Sequence, residues 1–382
     1  MDLEYSALNV LDGKGYIVRV EDGIIADVRE CADVPEGRFI CPGGLIDTQV
    51  NGAVGYNYSG EDLDVSQVRE ICDNLARHGT LQHFATIITR PEQVILRNLD
   101  VIVKATEEDE FVRRSITGIH IEGNFISRLD GPRGAHDLRY VRDADIGEFD
   151  RWYEHAHGLL KYITIGAEAN GAEQLIRHAV SNGVAVAIGH TGATREQIDR
   201  AVEAGTTLST HLGNGVFAKL DRFENPIWPQ LRNKGLTTGL IADGDHVTPD
   251  LVWVISRCKD SDHIILVSDL HHCAGLPPGR RQDGPLEIDI VKEGAVRVAG
   301  TPYLAGAGVH LIRCIWNYSR FTGTDMKTSF KLGTFNPICK YSLDSERAKL
   351  QAGHKAEFIT FTETEKGFEL SSVFAGGMPV LY

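Results

Sequence analysis

The sequence lacks the features that would place it among membrane, secreted or polyanion-binding proteins. No apolar run reaches the roughly 18 residues that a membrane-spanning helix needs, and the acidic start of the chain favours no signal peptide. The seven cysteines include no CxxC pair, which predicts reduced thiols in the cytoplasm. Because 39 Lys and Arg stand against 53 Asp and Glu, the net charge of −14 argues against nucleic acid or an anionic membrane as a partner.

Both ends of the chain contain short strand-like segments. Residues 16–20 and 24–28 flank an Asp-Gly step, which is typical of a β-hairpin. Residues 373–381 are strand-like too and contain a Gly-Gly turn. The two ends together therefore predict one small β-sandwich domain, built from residues 1–43 and 343–382.

The middle of the chain, residues 44–342, alternates between apolar runs and helix-compatible stretches. One such stretch has a capping box that begins at Thr194 and a closing glycine at Gly205. The apolar runs recur about every 31 residues, at 44–47, 83–88, 116–121, 161–165, 184–188, 206–210, 236–241 and 263–267. Because that spacing fits one strand and one helix, eight runs predict an α/β fold, a TIM-like (β/α)₈ barrel. A doubly wound open sheet is the alternative, but no GxGxxG motif follows an early strand to support it.

Polar side chains follow several of these runs at the point where each predicted strand ends. Glu122 ends the third run, His190 and His211 follow the fifth and sixth, and Asp269 follows the eighth. Chemistry in a (β/α)₈ barrel gathers at this end of the strands. Two imidazoles and a carboxylate can hold a divalent metal with a position open for water, and a further Asp could accept a proton from that water.

Each of these histidines taken alone is more often a hydrogen-bonded packing residue than a ligand. His136 lies in a Gly-Pro-Arg-Gly-Ala loop, where a solvated side chain is the ordinary interpretation. His271 and His272 closely follow Asp269 and would lie over a site at the eighth strand. They are either a packed or exposed pair or part of a substrate loop.

Longer motifs resemble those of the amidohydrolase superfamily and, within it, the N-acetylglucosamine-6-phosphate deacetylases. The resemblance covers nearly the whole chain. It is carried by residues 42–52, 118–123, 133–136, 189–191, 210–215, 241–246, 267–269, 304–306, 336–337 and 352–357.

The resemblance implies a role for each matching residue. Glu122, His190 and His211 would bind one divalent metal ion, most often zinc in this family, and Asp269 would be the general acid/base. His136 would polarise the acetyl carbonyl or stabilise the oxyanion. Substrate contacts would come from Ala135, His136, Asn214, Gly215, Arg222 and His246. The family supplies the last two across a dimer interface, so the resemblance also implies a homodimer.

Neutral amides replace a pair of metal ligands that many amidohydrolases carry after the first strand. Here the segment is Gln49-Val50-Asn51. Amides are poor ligands for a second zinc, which predicts a mononuclear site. Gln49 and Asn51 are candidates for a water site or for the remnant of a second metal site.

The departures from the family lie where the substrate is read. Asn124 stands where the family usually has Pro, and His271 and His272 replace small residues and a Pro. The resemblance as a whole implies hydrolysis of the acetamide of N-acetylglucosamine 6-phosphate, in which metal-bound water attacks the carbonyl. The alternatives are a non-phosphorylated N-acyl sugar, an N-acyl amino acid or a cyclic amide as substrate. A non-catalytic scaffold is a third interpretation.

Overall fold

The computed structural model describes residues 2–283, 286–291, 294–301 and 304–381. Four strands open the chain: β1 (Asp2–Asn9), β2 (Gly15–Glu21), β3 (Ile24–Glu30) and β4 (Arg38–Pro42). β2 and β3 form the predicted antiparallel hairpin. Asp22 and Gly23 make its turn with φ of 47° and 79°, the left-handed conformation that such turns require.

The chain then alternates between strands and helices. In order these are β5 (Leu45–Val50), β6 (Gly52–Ala53), β7 (Tyr56–Asn57), α1 (Val65–Arg77), β8 (Thr80–Ile88), α2 (Glu92–Glu108), α3 (Glu110–Ser115), β9 (Ile116–Glu122), α4 (Ile146–His155), β10 (Leu160–Ile165), α5 (Ala172–Ser181), β11 (Ala185–Ile188), α6 (Arg195–Ala204), β12 (Leu208–Ser209), α7 (Ile227–Arg232), β13 (Thr237–Leu240), α8 (Pro249–Cys258) and β14 (Ile264–Leu266). A 3₁₀ turn, Ser261–His263, precedes β14.

Eight of these strands form a parallel barrel. Their order is β14-β13-β12-β11-β10-β9-β8-β5, and a bridge between Val50 and Leu270 joins its two edges. Every predicted apolar run overlaps one barrel strand, so the (β/α)₈ prediction is confirmed. α6 is capped as predicted, because the Thr194 hydroxyl accepts the Gln197 N–H and the Gln197 side chain accepts the Thr194 N–H.

Neutral histidines are buried on both faces of the barrel strands, His120 inside the barrel and His83 between β8 and the surrounding helices. His83 Nε2 lies 2.7 Å from the Tyr58 hydroxyl. His120 Nε2 lies 2.8 Å from the Thr164 hydroxyl, and its ring stacks on Tyr162. Burial lowers the pKa of both imidazoles to about 3, so both are held uncharged at neutral pH.

A four-stranded antiparallel sheet that the sequence did not predict follows the barrel. It comprises β15 (Gly279–Asp283), β16 (Leu286–Ile290), β17 (Val296–Val298) and β18 (Leu304–Gly306). Cys273 of the preceding loop packs with Ile288, Ile290 and Val296 in a small core. This core attaches the sheet to the loop that follows β14.

The remaining elements complete the sheet of the chain termini. They are α9 (Leu311–Thr322), α10 (Met326–Lys331), α11 (Phe335–Tyr341), a 3₁₀ turn at Ser345–Ala348, β19 (Phe358–Thr364), β20 (Gly367–Ala375) and β21 (Met378–Leu381). The seven strands run in the order β21-β20-β19-β4-β1-β2-β3. Buried Glu357 forms ion pairs with Arg114 beside the barrel and with Arg347. Among the described helices, none combines the length and apolar character needed to cross a bilayer.

Candidate metal centre and active site

Polar side chains from five barrel strands converge at the carboxyl ends of the strands. Glu122 is the last residue of β9. His190 follows β11, His211 follows β12, Asp269 follows β14, and Gln49 lies near the end of β5. Hydrogen bonds and short polar contacts connect all five side chains in one network.

Three donor atoms face one another at the spacing expected of ligands that share a metal ion. Glu122 Oε1 lies 3.4 Å from His190 Nε2 and 3.0 Å from His211 Nε2, and the two Nε2 atoms are 3.1 Å apart. Tetrahedral zinc with bonds of about 2.1 Å would separate its ligands by about 3.4 Å. A third imidazole is close, since ligand atoms of Glu122, His136 and His190 all lie within 4.8 Å of one another.

The hydrogen bonds of the ring nitrogens support the same interpretation. His190 Nδ1 lies 3.0 Å from the Pro132 carbonyl oxygen, which can only accept, so the proton is on Nδ1 and the Nε2 lone pair faces Glu122. His211 Nδ1 is buried and has no partner among the described residues. This buried set of lone pairs fits a divalent cation.

The carboxylate and the two imidazoles influence one another's protonation. Burial raises the pKa of Glu122, but the neighbouring imidazoles of His190 and His211 outweigh burial and hold the pKa well below its usual range. Burial lowers the pKa of His211, but the neighbouring carboxylate of Glu122 raises it overall. Glu122 is therefore ionised, as a metal ligand must be.

Backbone strain is concentrated at the same residues. His190, His211 and Asp269 have φ of 46°, 27° and 52°, although residues with a Cβ rarely adopt this conformation. Such strain costs of order 1–3 kcal/mol per residue and persists where the surrounding structure enforces it. Here it turns each side chain inward as its strand ends.

Asp269 is held by the amide side chains of Gln49 and Asn51. Asn51 Nδ2 donates to Asp269 Oδ1 at 2.8 Å. Gln49 Nε2 donates to the same oxygen at 3.2 Å and to Glu122 Oε1 at 3.0 Å. Because these N–H groups point at the carboxylates, they fill the space that a second cation would need. Burial, followed by the charge of Glu122, raises the pKa of Asp269.

His136 reaches the cluster from the loop after β9. Its Nε2 lies 3.3 Å from His190 Nε2, and its Nδ1 lies 2.8 Å from the Thr89 hydroxyl. The Thr89 hydroxyl already accepts the Asn124 N–H at 3.0 Å, so it can donate its own proton to His136 Nδ1. The proton of the neutral His136 ring is then on Nε2, which can act as a donor. Burial, followed by the charge of His190, lowers the pKa of His136, and the ring is therefore neutral.

The predicted sugar-site residues surround this cluster at different distances. Gly215 touches it, because a Cβ there would lie 2.8 Å from His190 Nδ1. Asn214 is half-buried, and its amide donates to the His211 carbonyl at 3.2 Å. Ala135 is exposed beside His136.

The two residues predicted to bind phosphate are placed differently from each other. Arg222 lies on an exposed loop, with its guanidinium 4.8 Å from the centre of the Phe223 ring, and it is outside the cluster. His246 Nδ1 lies 2.6 Å from Asp243 Oδ2, and the His246 charge opposes part of the rise in the Asp269 pKa. The ring of His246 is therefore held within its own subunit.

His271 and His272 form a second cluster with Asp283 of β15. Their Nε2 atoms lie 3.3 Å and 3.5 Å from the two Asp283 carboxylate oxygens. The Cys273 N–H donates to His271 Nδ1 at 3.1 Å, and Asn57 Nδ2 lies 3.2 Å from His272 Nδ1. Because each Nδ1 accepts a hydrogen bond, each ring carries its proton on Nε2, which faces Asp283. Although ligand atoms of His271, His272 and Cys273 lie within 4.8 Å of one another, these bonds favour a clamp on Asp283 over a metal site.

Two residues near the site were missed by the sequence reasoning. Asn124 was noted only as a departure, yet its amide accepts the Arg90 N–H at 3.2 Å and donates to Glu148 at 3.1 Å. Arg90 itself was not singled out. Its signal is a charged residue two positions beyond a buried strand, which is the same pattern that identified the strand-end residues.

The barrel and its strand-end donors are similar to those of metal-dependent hydrolases. No family model matches the chain. Its curated relatives and structural neighbours include N-acetylglucosamine-6-phosphate deacetylases, at about 26–28% identity over most of the chain, and the predicted resemblance is confirmed.

Three comparisons represent these relatives. The chain is 28% identical over 338 residues to N-acetylglucosamine-6-phosphate deacetylase of Danio rerio, covering 86% of this chain and 81% of the relative. It is 26% identical over 363 residues to N-acetylgalactosamine-6-phosphate deacetylase of Escherichia coli O157:H7, covering 94% and 93%. A Mycobacterium smegmatis N-acetyl-D-glucosamine-6-phosphate deacetylase, solved as a single-residue variant with N-acetyl-D-glucosamine-6-phosphate, superposes with a TM-score of 0.84. It is 26% identical and covers 96% of this chain and 95% of its own.

Proposed function

We propose that this protein is a metal-dependent hydrolase that converts N-acetylglucosamine 6-phosphate to glucosamine 6-phosphate and acetate. The observation that carries the proposal is the convergence of Glu122, His190 and His211 beside Asp269 in a barrel shared with deacetylases. The fold alone would not support this proposal, because proteins with the same fold can have many different activities.

The metal ion in this proposal is a single zinc. Glu122, His190 and His211 would hold it, since two imidazoles and a carboxylate are a common donor set for catalytic zinc. The amide N–H groups of Gln49 and Asn51 argue for one ion, because they point at the carboxylates. A zinc ion held there supplies a water activated towards hydroxide and polarises the carbonyl.

Asp269 would move the protons of the reaction. Its buried carboxylate has a raised pKa, so it can take a proton during attack and deliver it to the departing amine. Two amide donors fix its Oδ1 and leave Oδ2 as the oxygen for that transfer.

His136 would stabilise the negative charge that develops on the carbonyl oxygen. The neutral ring can donate from Nε2 because the Thr89 hydroxyl serves Nδ1. Removal of one such donor typically costs about 3–4 kcal/mol of transition-state stabilisation.

The sugar would be bound by Ala135, His136, Asn214 and Gly215, and its phosphate would be bound by Arg222 and His246. In this proposal the active unit is a homodimer in which the last two residues act across the interface. The exposed surface around Arg222 supports a dimer, since Phe223 is 75% exposed and Trp228 is 44% exposed and clustered apolar side chains mark interaction surfaces. For His246 the bond to Asp243 within its own subunit weakens the cross-interface role.

Two further assignments complete the proposal. We assign residues 44–342 to the catalytic domain and residues 1–43 with 343–382 to the small β domain, of which residues 1 and 382 lie outside the described part. The location would be cytoplasmic, because all seven cysteines are free and a reducing compartment keeps them so.

The test is acetate release by metal-analysed protein from paired phosphorylated and unphosphorylated N-acetyl sugars. We expect about one zinc per chain and a kcat/KM at least about tenfold higher for the phosphorylated glucosamine derivative. That ratio corresponds to one charge-assisted contact of about 1.4 kcal/mol. Equal values for each pair would contradict the phosphate requirement, and the galactosamine pair tests the sugar epimer.

A further inference from the structure

Arg90 is a half-buried cation at the rim of the active site, two residues beyond the end of β8. Its backbone N–H donates to Asn124 Oδ1, and its carbonyl accepts from Asn124 Nδ2, both at 3.2 Å. The preceding residue, Thr89, bonds His136. Arg90 is thus fixed to the same frame as Glu122 and His136.

The guanidinium of Arg90 is bonded only to neutral groups among the described residues. Nε donates to the Ser59 carbonyl at 3.0 Å, and Nη1 donates to the Thr89 carbonyl at 3.2 Å. Asp283 is its strongest acidic influence, but the Asp283 oxygens face His271 and His272. A desolvated cation without a carboxylate in contact is costly, and part of its fork remains available for another anion.

Of the two predicted sugar-binding loops, Arg90 adjoins the one that carries His136, through Thr89, and lies opposite the other, which carries Asn214 and Gly215. β8 is the second strand of the eight and β12 is the sixth, which places the loop with Asn214 and Gly215 across the barrel from Arg90. An amide extends its acyl group and its amine in opposite directions from the reacting carbon.

We propose that the guanidinium of Arg90 binds an oxyanion of the substrate and thereby selects it. This inference rests on the proposed function as an amide hydrolase and adds a specificity residue to it. The position of Arg90 across the barrel from the loop with Asn214 and Gly215 favours a carboxylate at the end of the N-acyl group. The same fork would also bind a phosphoryl group of the sugar, since guanidinium recognises both oxyanions in a bidentate manner.

The test compares substrates that differ by one charge. N-succinylglucosamine is paired with N-butyrylglucosamine, which has the same chain length and no carboxylate, and N-acetylglucosamine 6-phosphate is paired with N-acetylglucosamine. The proteins are the wild type, Arg90→Gln, Arg90→Lys and Arg97→Gln. Arg97 is a matched control, because it also bonds a neutral carbonyl, that of Leu63, but lies exposed on α2.

For Arg90→Gln we expect kcat/KM to fall about tenfold to a hundredfold more on the charged member of one pair than on its neutral partner. Arg90→Lys should restore part of that difference, and Arg97→Gln should produce none. A difference confined to the succinyl pair identifies the acyl carboxylate, and one confined to the phosphate pair identifies the phosphoryl group. Equal losses on all four substrates, or no loss, would overturn the proposal.

A binding measurement separates this inference from the proposed function. Calorimetry with succinate and with inorganic phosphate tests the wild type and Arg90→Gln without turnover. If the wild type hydrolyses none of the substrates, the proposed function fails. Weaker binding of either anion to Arg90→Gln would still support the role of Arg90, and equal binding would refute it.

Discussion

Replacing Asp269 with Asn should separate proton transfer from metal binding. Asp269 Oδ1 accepts from Gln49 and from Asn51, and an Asn side chain can keep its carbonyl oxygen in that position. The variant loses only the ability to take and return a proton. General acid–base groups contribute about a hundredfold to ten-thousandfold, or about 2.7–5.4 kcal/mol in the activation barrier, and we expect kcat to fall by that amount.

Asp269→Ala is the matched comparison. Among the described residues it removes the one acceptor of Asn51 Nδ2, whereas Gln49 Nε2 keeps Glu122. A buried donor without a partner costs about 1–3 kcal/mol. The free energy of unfolding should therefore fall by about that amount in Asp269→Ala and by less than about 1 kcal/mol in Asp269→Asn.

The assay is acetate release, with metal content and urea unfolding measured on the same preparations. Metal content should be unchanged in Asp269→Asn, because Glu122, His190 and His211 remain. If Asp269→Asn keeps more than about a tenth of the wild-type kcat, Asp269 is not the general acid/base. If it loses the metal instead, the assignment of Asp269 outside the ligand set is wrong.

Three further predictions concern stability and metal. His190→Gln should lose bound zinc, and adding zinc at about a hundred times its dissociation constant should stabilise the wild type by about 2.7 kcal/mol but not the variant; equal shifts in both would contradict the ligand role. Burial lowers the pKa of His83 to about 3, so the folded protein favours the neutral ring. The stability of the fold that depends on this neutral ring is complete above about pH 6.5 and is lost as the pH falls towards 3. The loss is about 1.4 kcal/mol per pH unit in that window, and His83→Gln should flatten the dependence in acid unfolding measured by circular dichroism. Glu357→Gln should lower the free energy of urea unfolding by about 3–5 kcal/mol, since it strands the charges of Arg114 and Arg347; a loss below about 1 kcal/mol would show that the pairs are compensated by solvent.

The barrel could be predicted because its signal is local and repeated. Each strand is an apolar run that ends in a polar residue, and Glu122, His190, His211 and Asp269 all lie at such ends. The chain itself brings these ends together once eight strands close. The positions of the candidate metal donors therefore follow from the predicted strand ends.

The first strand of the sheet β15–β18 could not be predicted, because it has no hydrophobic period. Gly279–Asp283 reads GRRQD, which is polar throughout and largely exposed. That strand is held by its partner β16 and by the His271 and His272 contacts to Asp283. Arg90 was missed for a related reason, since its importance lies in the absence of an acidic partner, and only three-dimensional structure reveals partners.

The pairing of β4 with β19 has a consequence for how the chain folds during synthesis. Cys41 pairs with Ile359, so β4 leaves the ribosome long before its neighbour exists. Until β19 emerges, one edge of β4 exposes unpaired backbone groups while the whole barrel is being made. The small sheet therefore closes last, and until then that open edge is available for wrong pairing.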